Sequence, residues 1–219
     1  MSLFITGTDT GVGKTHTAVQ LLRLLRGAGA SCAGMKPICC GDRRDAELLL
    51  AASTDGLTID EINPMWLKTP AAPIVGGLIE EADIDVKHIL MAFRSLQNRV
   101  DQVVVEGVGG WMAPIRADYF ASDLAAEMKL PVLVVALNRL GCLNHAALTV
   151  RSVTEHCLHC VGVVLNDVEA SNDIAVATNA EILKKILGIP VFTELHADLM
   201  ELPANWKLMI DSSRGFQTC

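Results

Sequence analysis

Two periodicities alternate along this chain. Short, apolar-rich runs occupy 2–6, 31–35, 103–107 (with Glu106 at its tip), 131–137 and 161–165. Between them lie stretches whose apolar positions recur every three to four residues. Ala18, Val19, Leu21, Leu22 and Leu25 make one such stripe, and Val86, Ile89, Leu90, Phe93 and Leu96 another. The first pattern predicts strands buried on both faces and the second predicts amphipathic helices. Further helices are expected over 46–52, with Asp45 opening the stretch, and over 121–128, 142–156 and 173–187, with a last strand near 190–195. Nearly all-apolar strands separated by helices specify a mostly parallel central sheet with helices on both faces, a three-layer α/β architecture. Ile38 to Asp42 reads as a loop at a strand's carboxyl end. The proline-punctuated pieces Asn63-Pro64-Met65-Trp66 and Thr69-Pro70-Ala71-Ala72-Pro73 read as a loop wall. No repeat or long linker divides the 219 residues, so one domain over 1–219 is expected, and the stretch after Leu202 carries no pattern.

The first strand leads into Gly7-Thr8-Asp9-Thr10-Gly11-Val12-Gly13-Lys14-Thr15 and then His16, where a helix begins. Strand, glycine-rich turn, Lys-Thr and helix form the context of a phosphate-binding loop. Backbone N–H groups and the helix N-terminus suit an anion, the lysine reaches terminal phosphates, and the threonine hydroxyl suits Mg²⁺. Five residues separate Gly7 from Gly13 where the usual motif has four. The fold expectation sharpens accordingly to a P-loop NTPase type.

Composition removes several classes. A formal charge of −7 with a pI near 5.3 leaves no electrostatic footprint for nucleic acid. No apolar run approaches the ~20 residues of a membrane span, and the start lacks a signal-peptide pattern, so no membrane and a cytoplasmic location are expected. Seven cysteines without framework spacing suit a reducing compartment. His156-Cys157-Leu158-His159-Cys160 is read as a helix end handing over to a strand, the alternative being half a zinc site or a redox pair.

Candidate chemistry gathers at strand ends. Thr15 is the first Mg²⁺ ligand expected, Glu106 at the tip of a valine-rich strand the second, and Asp45 the third. Asp45 is read equally well as a solvated acid opening a helix. Lys36 ends a neighbouring strand and is either a site lysine or a surface lysine before a turn. Asn166, followed by Asp167, is either a purine contact or a turn former.

In order along the chain, Gly7-Thr8-Asp9-Thr10 with Gly13-Lys14-Thr15, Lys36-Pro37, Asn63-Pro64, Pro70 and Pro73 resemble dethiobiotin synthetase, the ATP-dependent carboxylase of biotin synthesis. So do Val105-Glu106-Gly107 with Gly109-Gly110-Trp111, Leu140-Gly141-Cys142-Leu143-Asn144-His145 and Asn166-Asp167. The resemblance implies ligation of 7,8-diaminopelargonate with CO₂ through a carbamate and a carbamic-phosphoric anhydride, with ATP as co-substrate and Mg²⁺ as cofactor. It implies Thr15, Asp45 and Glu106 as metal ligands, and Lys14, Lys36 and Thr10 around the reacting groups. Gly11, Val12, Gly13, His16, Gly107, Val108, Gly109, Asn166 and Asp167 are implied on the nucleotide side, with Asn166 at the adenine. Cys40, Gly141, Cys142, Leu143 and Asn144 are implied on the substrate side, the last four supplied by the partner of a homodimer with a shared active site. Gly11 stands where many members carry an acid, Cys40 stands where a hydroxyl is expected, and Glu194-Leu195-His196-Ala197 lacks an expected proline. Partition or cell-division switch ATPases and small-molecule kinases are the competing readings. An amidotransferase ligase needs a glutaminase for which this length leaves no room.

Overall fold

In a computed structural model, residues 2–167 and 174–193 are described. The expected adenine segment Glu194–Ala197, the expected helix start at Asp173 and the stretch after Leu202 lie outside them. In chain order the strands are β1 (Leu3–Gly7), β2 (Cys32–Met35), β3 (Ile38–Cys40), β4 (Met65–Leu67), β5 (Gln102–Glu106), β6 (Pro114–Arg116), β7 (Tyr119–Phe120), β8 (Val132–Leu137), β9 (Cys160–Asn166) and β10 (Val191–Phe192). The helices are α1 (Lys14–Gly27), α2 (Arg44–Ala52), α3 (Ile59–Ile62), α4 (Pro73–Glu80), α5 (Val86–Gln97), α6 (Ala121–Met128), α7 (Cys142–Glu155) and α8 (Ile174–Leu187).

The main sheet has six strands in the order β10-β9-β8-β1-β5-β2, every pair parallel. Successive side chains on a strand point to opposite faces. Phe4 to Thr6, Val103 to Val105 and Val132 to Ala136 are nevertheless buried without interruption, which requires cover on both faces. The helices supply it, as the alternating periodicities predict. Leu21, Leu22 and Leu25 of α1 and Ala146, Val150 and Val153 of α7 join the same core. Among the described residues no helix is long and apolar enough to cross a membrane.

Three regions differ from the expectation. Ile38 to Cys40 is not loop but a strand, paired in parallel with β4 inside the expected loop wall. Three-residue strands outside the main sheet are too short to show a period. The second proline piece opens α4 rather than wall alone, with Pro73 in the first turn, where its missing N–H is harmless. Gly76 and Gly77 weaken the helical signal there; a Cβ on Gly76 would come within 3.1 Å of Leu67. The loop after Trp111 also contains an antiparallel hairpin, β6-β7. The Cys157–Cys160 stretch is a helix-to-strand handover, with Cys160 buried in β9. Among the described residues no three His, Cys, Asp or Glu side chains form a metal cage.

Gly34 in β2 gives a direct test of the packing between sheet and helices. A Cβ there would lie 2.8 Å from Leu22 Cδ1 and 2.8 Å from Leu49 Cβ, and Leu49 Cβ sits too close to its own backbone to swing away. Gly34→Ala is expected to lower unfolding free energy by about 1–3 kcal/mol, the usual range for overpacking, as measured by urea denaturation. An unchanged midpoint would show that α1 and α2 are not seated on β2 as described.

Candidate active site

The sheet's carboxyl edge is set by register. Ile5 lies opposite Glu106, and Met35 lies opposite Val105. The turn after β1, the acid ending β5 and the lysine following β2 therefore emerge side by side. In an open parallel sheet this is where ligands bind.

The turn between β1 and α1 is pinned from both sides. Gly13, the N-cap of α1, has φ 93°, and a Cβ there would sit 2.1 Å from Asn166 Nδ2. Glycine therefore satisfies both the left-handed backbone and the close approach. Asn166 Nδ2 donates to the Val12 carbonyl at 2.8 Å, tying the end of β9 to the loop. Asp9 Oδ1 accepts from Thr10 N at 2.7 Å. Lys14 Nζ donates to the Asp9 carbonyl at 3.0 Å, folding back over the loop. Burial, followed by the nearby Lys36 charge, pushes Lys14 down to about 8, against the opposing pull of Glu106, Asp45 and Asp9.

Lys36 is the hub. Its Nζ donates to Glu106 Oε1 at 2.5 Å and to Asp45 Oδ2 at 2.9 Å. Burial works against its charge, but the two carboxylates outweigh it and hold the ammonium above the ordinary lysine range. Burial also opposes the charge on Asp45, yet the Lys36 ammonium and the Thr15 hydroxyl keep it below its ordinary value. Thr15 Oγ1 lies 2.9 Å from both Asp45 Oδ1 and Glu106 Oε1. A single hydroxyl proton serves two carboxylates, so lone pairs outnumber protons where these oxygens meet. Glu106 Oε2 is buried with no hydrogen-bond partner. Converging oxygens with one unpaired buried acceptor fit Mg²⁺, which takes a few protein oxygens and leaves other positions to phosphate and water.

These groups open onto a cleft of about 750 Å³. Thr10, Gly11, Gly13, Lys14, Thr15, Lys36, Cys40, Asp45, Glu106, Val108 and Gly109 all line it. Asp45 thus joins the charged cluster from the first turn of α2, and is more than a helix-opening acid. The opposite wall, Pro70 to Pro73 at the start of α4, is apolar. Burial pushes the Cys40 thiol up to about 11, so it faces the cleft as a weak neutral donor.

The remaining expected residues lie elsewhere. The Val12 side chain is buried in the core and His16 is exposed on α1. Gly107 packs behind the edge against Phe4, and Asp167 is exposed beyond β9. Gly141, Cys142, Leu143 and Asn144, at the start of α7, do not line this chain's own cleft. Gly141 caps α7 at φ 93° with no side-chain cap, and Leu140 beside it is 82% exposed. Sequence reasoning passed over Arg43, whose guanidinium bonds to Asn63 and Asp60 and stacks on Trp66. Its position two residues before Asp45 was the available signal.

Comparisons with known proteins bear on this site. A family model described as an AAA domain matches residues 1–199. The solved structure of the septum site-determining protein MinD complexed with Mg-ADP, from Pyrococcus horikoshii OT3, superposes with a TM-score of 0.52 at 14% identity. It covers 87% of this chain and 79% of that one, a likeness of fold. An ATP-dependent dethiobiotin synthetase BioD from Akkermansia muciniphila is 44% identical over 194 residues, covering 89% of this chain and 91% of that protein. Its namesake from Aromatoleum aromaticum is 39% identical, covering 86% and 87%. With a phosphate loop, a buried lysine and two carboxylates sharing one cleft, and with these relatives matched almost end to end, the chain belongs to the ATP-dependent dethiobiotin synthetase family.

Proposed function

We propose that the chain, as a single catalytic domain over 1–219, closes the ureido ring of dethiobiotin from 7,8-diaminopelargonate, CO₂ and ATP. The observation that carries this reading is one cleft with Lys14, Lys36, Thr15, Asp45 and Glu106 at one end and an apolar wall at the other. A diamine on a long carbon chain needs both surfaces. CO₂ joins one amine, which loses a proton to become a carbamate. The carbamate oxygen takes the γ-phosphoryl group of ATP as ADP leaves. The second amine then attacks the carbonyl carbon, losing a proton as phosphate departs. The carbamate and its phosphoric anhydride are both anions at the reacting centre, and preorganised cations and N–H donors stabilise charge that develops there. Lys36, already committed to a charged state, holds the carbamate end. Lys14, Thr10 and the start of α1 hold the phosphates. Thr15, Asp45 and Glu106 hold Mg²⁺, which when bound neutralises and orients the phosphate oxygens.

The nucleotide lies along Gly11 to Thr15, with Val108 and Gly109 beneath the phosphates and Asn166 on the base side. Asn166 keeps the side-chain oxygen and one amide hydrogen for that contact, since Val12 takes the other. Cys40 lines the diamine's path. The substrate carboxylate is bound at the N-terminus of α7 of a second copy, around Gly141 to Asn144, making the enzyme a homodimer with shared active sites. Support comes from the exposed Leu140 and a helix start with no side-chain cap that does not line its own chain's cleft.

Phosphate release that requires both diamine and bicarbonate tests the whole reading. Release without bicarbonate points to a simple kinase, and release without diamine to a switch ATPase.

Lys14→Ala is expected to lower turnover by at least about 10²-fold, the scale for removing one preorganised donor, with an unchanged far-ultraviolet circular dichroism spectrum. Near-normal ring closure would remove the phosphate-loop assignment. Glu106→Gln is expected to shift the Mg²⁺ dependence of activity to higher concentration, because a charged oxygen ligand is lost. An unchanged titration would return Glu106 to the role of counter-ion for Lys36. The shared site is tested by mixing Lys14→Ala with Gly141→Trp chains, each inactive alone. Part of the activity should return, because one hybrid site is intact; chains shown to exchange subunits without recovery would refute sharing.

A further inference from the structure

Glu106 and Asp45 reach Lys36 and Thr15 under different constraints. The Glu106 side chain is 1% exposed and is fixed by the packing around β5, whereas the Asp45 side chain is 45% exposed. Packing therefore does not hold Asp45 where Lys36 and Thr15 meet it. Its aim depends on how the first turn of α2 is anchored. Arg43 is the N-cap of that helix and makes no side-chain cap.

A closed circuit supplies the anchor. Asn63, 1% exposed, donates through Nδ2 to the Lys36 carbonyl at 2.8 Å and to the Met65 carbonyl at 2.8 Å. Lys36 N in turn donates to the Ile62 carbonyl at 2.8 Å. Asn63 Oδ1 accepts from Arg43 Nε at 2.9 Å, and the Asn63 carbonyl accepts from Arg43 Nη2 at 2.9 Å. The guanidinium stacks over Trp66 at 5.0 Å and pairs with Asp60 at 2.9 Å. From Lys36 the path runs through Asn63 and Arg43 into α2, reaches Asp45, and returns to Lys36 through the 2.9 Å ion pair. Arg43 does not line the catalytic cleft.

We propose that Arg43 and Asn63 are positioning residues that set Asp45 against Lys36 and Thr15, and through Asp45 tune the affinity of the site for its divalent cation. This rests on the reading of Asp45 as a Mg²⁺ ligand. The planar guanidinium fork grips both oxygens of Asn63, which fixes a direction as well as a distance. Partners that orient a ligand in this way affect metal affinity without touching the metal.

Mn²⁺ binding to the ADP-loaded protein, followed by the electron paramagnetic resonance signal of free Mn²⁺, reads this directly. Arg43→Ala is expected to weaken Mn²⁺ binding on the order of 10-fold, and Asp45→Asn to weaken it at least as much. Because Arg43 acts through Asp45, adding Arg43→Ala to Asp45→Asn should cause no further loss, the signature of coupled residues. Arg43→Lys keeps the charge beside Asp60 but not the two-point grip on Asn63, so it too should weaken binding, and it serves as the second variant if Arg43→Ala does not fold. Unchanged affinity in Asp45→Asn overturns the metal reading, and the proposal with it. Weakened binding in Asp45→Asn beside unaffected Arg43→Ala and Arg43→Lys overturns the proposal alone, as does an Arg43→Ala loss of equal size with and without Asp45.

Discussion

A lysine ammonium and a glutamate carboxylate, both almost out of water, meet at 2.5 Å at the edge of the sheet. Neither charge is tolerable there alone. Removing one partner of such a pair typically costs about 3–5 kcal/mol, because the other is left buried and uncompensated. The surrounding structure is arranged around that constraint. β5 delivers the glutamate, the turn after β2 delivers the lysine, and the start of α1 brings a threonine hydroxyl within 2.9 Å of the same carboxylate. Asp45 supplies the second counter-charge. Its exposure makes it the adjustable member, which is why the chain around Arg43 and Asn63 matters.

The parallel register turns this constraint into a site. All six strands of the main sheet run the same way, so three strands far apart in sequence end at one edge. Had β5 paired antiparallel to β1, Glu106 would end at the opposite edge from the phosphate loop, and the lysine would have no partner. The loop itself is fastened from behind by the Asn166 amide at the end of β9. The end of β9 and the phosphate loop are thus tied together within the fold itself.

Much of this was legible in the residues. Valine-rich runs gave the strands because burial on both faces leaves no alternation to misread, and Gly-Lys-Thr after such a run located the phosphate loop. Glu106 announced itself as an acid ending a run of buried valines. What stayed hidden was short or dependent on distant partners. β3 and β4 have three residues each and stabilise one another only by pairing across a separation the sequence does not display. α4 carries two adjacent glycines, a local signal against a helix that packing against Leu67 and the hairpin strand β6 outweighs. The choice between Asp45 as surface acid and as site acid turned on whether α2 points at β5. Spacing along the chain contains no such information.

The cleft is polarised, and that asymmetry bears on the proposed shared site. Its charged end is closed by Lys14, Lys36 and Glu106, all at most 6% exposed. Its apolar wall, from Pro70 to Pro73, leads outward toward α4, where Leu78 and Ile79 are 75% and 64% exposed. An anionic group at the far end of a long substrate would therefore leave the cations behind and meet apolar surface. Burying a charge without a partner there is unfavourable. A helix N-terminus with unpaired N–H groups is one structure that could receive it, and the start of α7 has no side-chain cap but does not line its own chain's cleft. In the proposed shared site, a second copy would bring that helix start to the apolar end of the cleft.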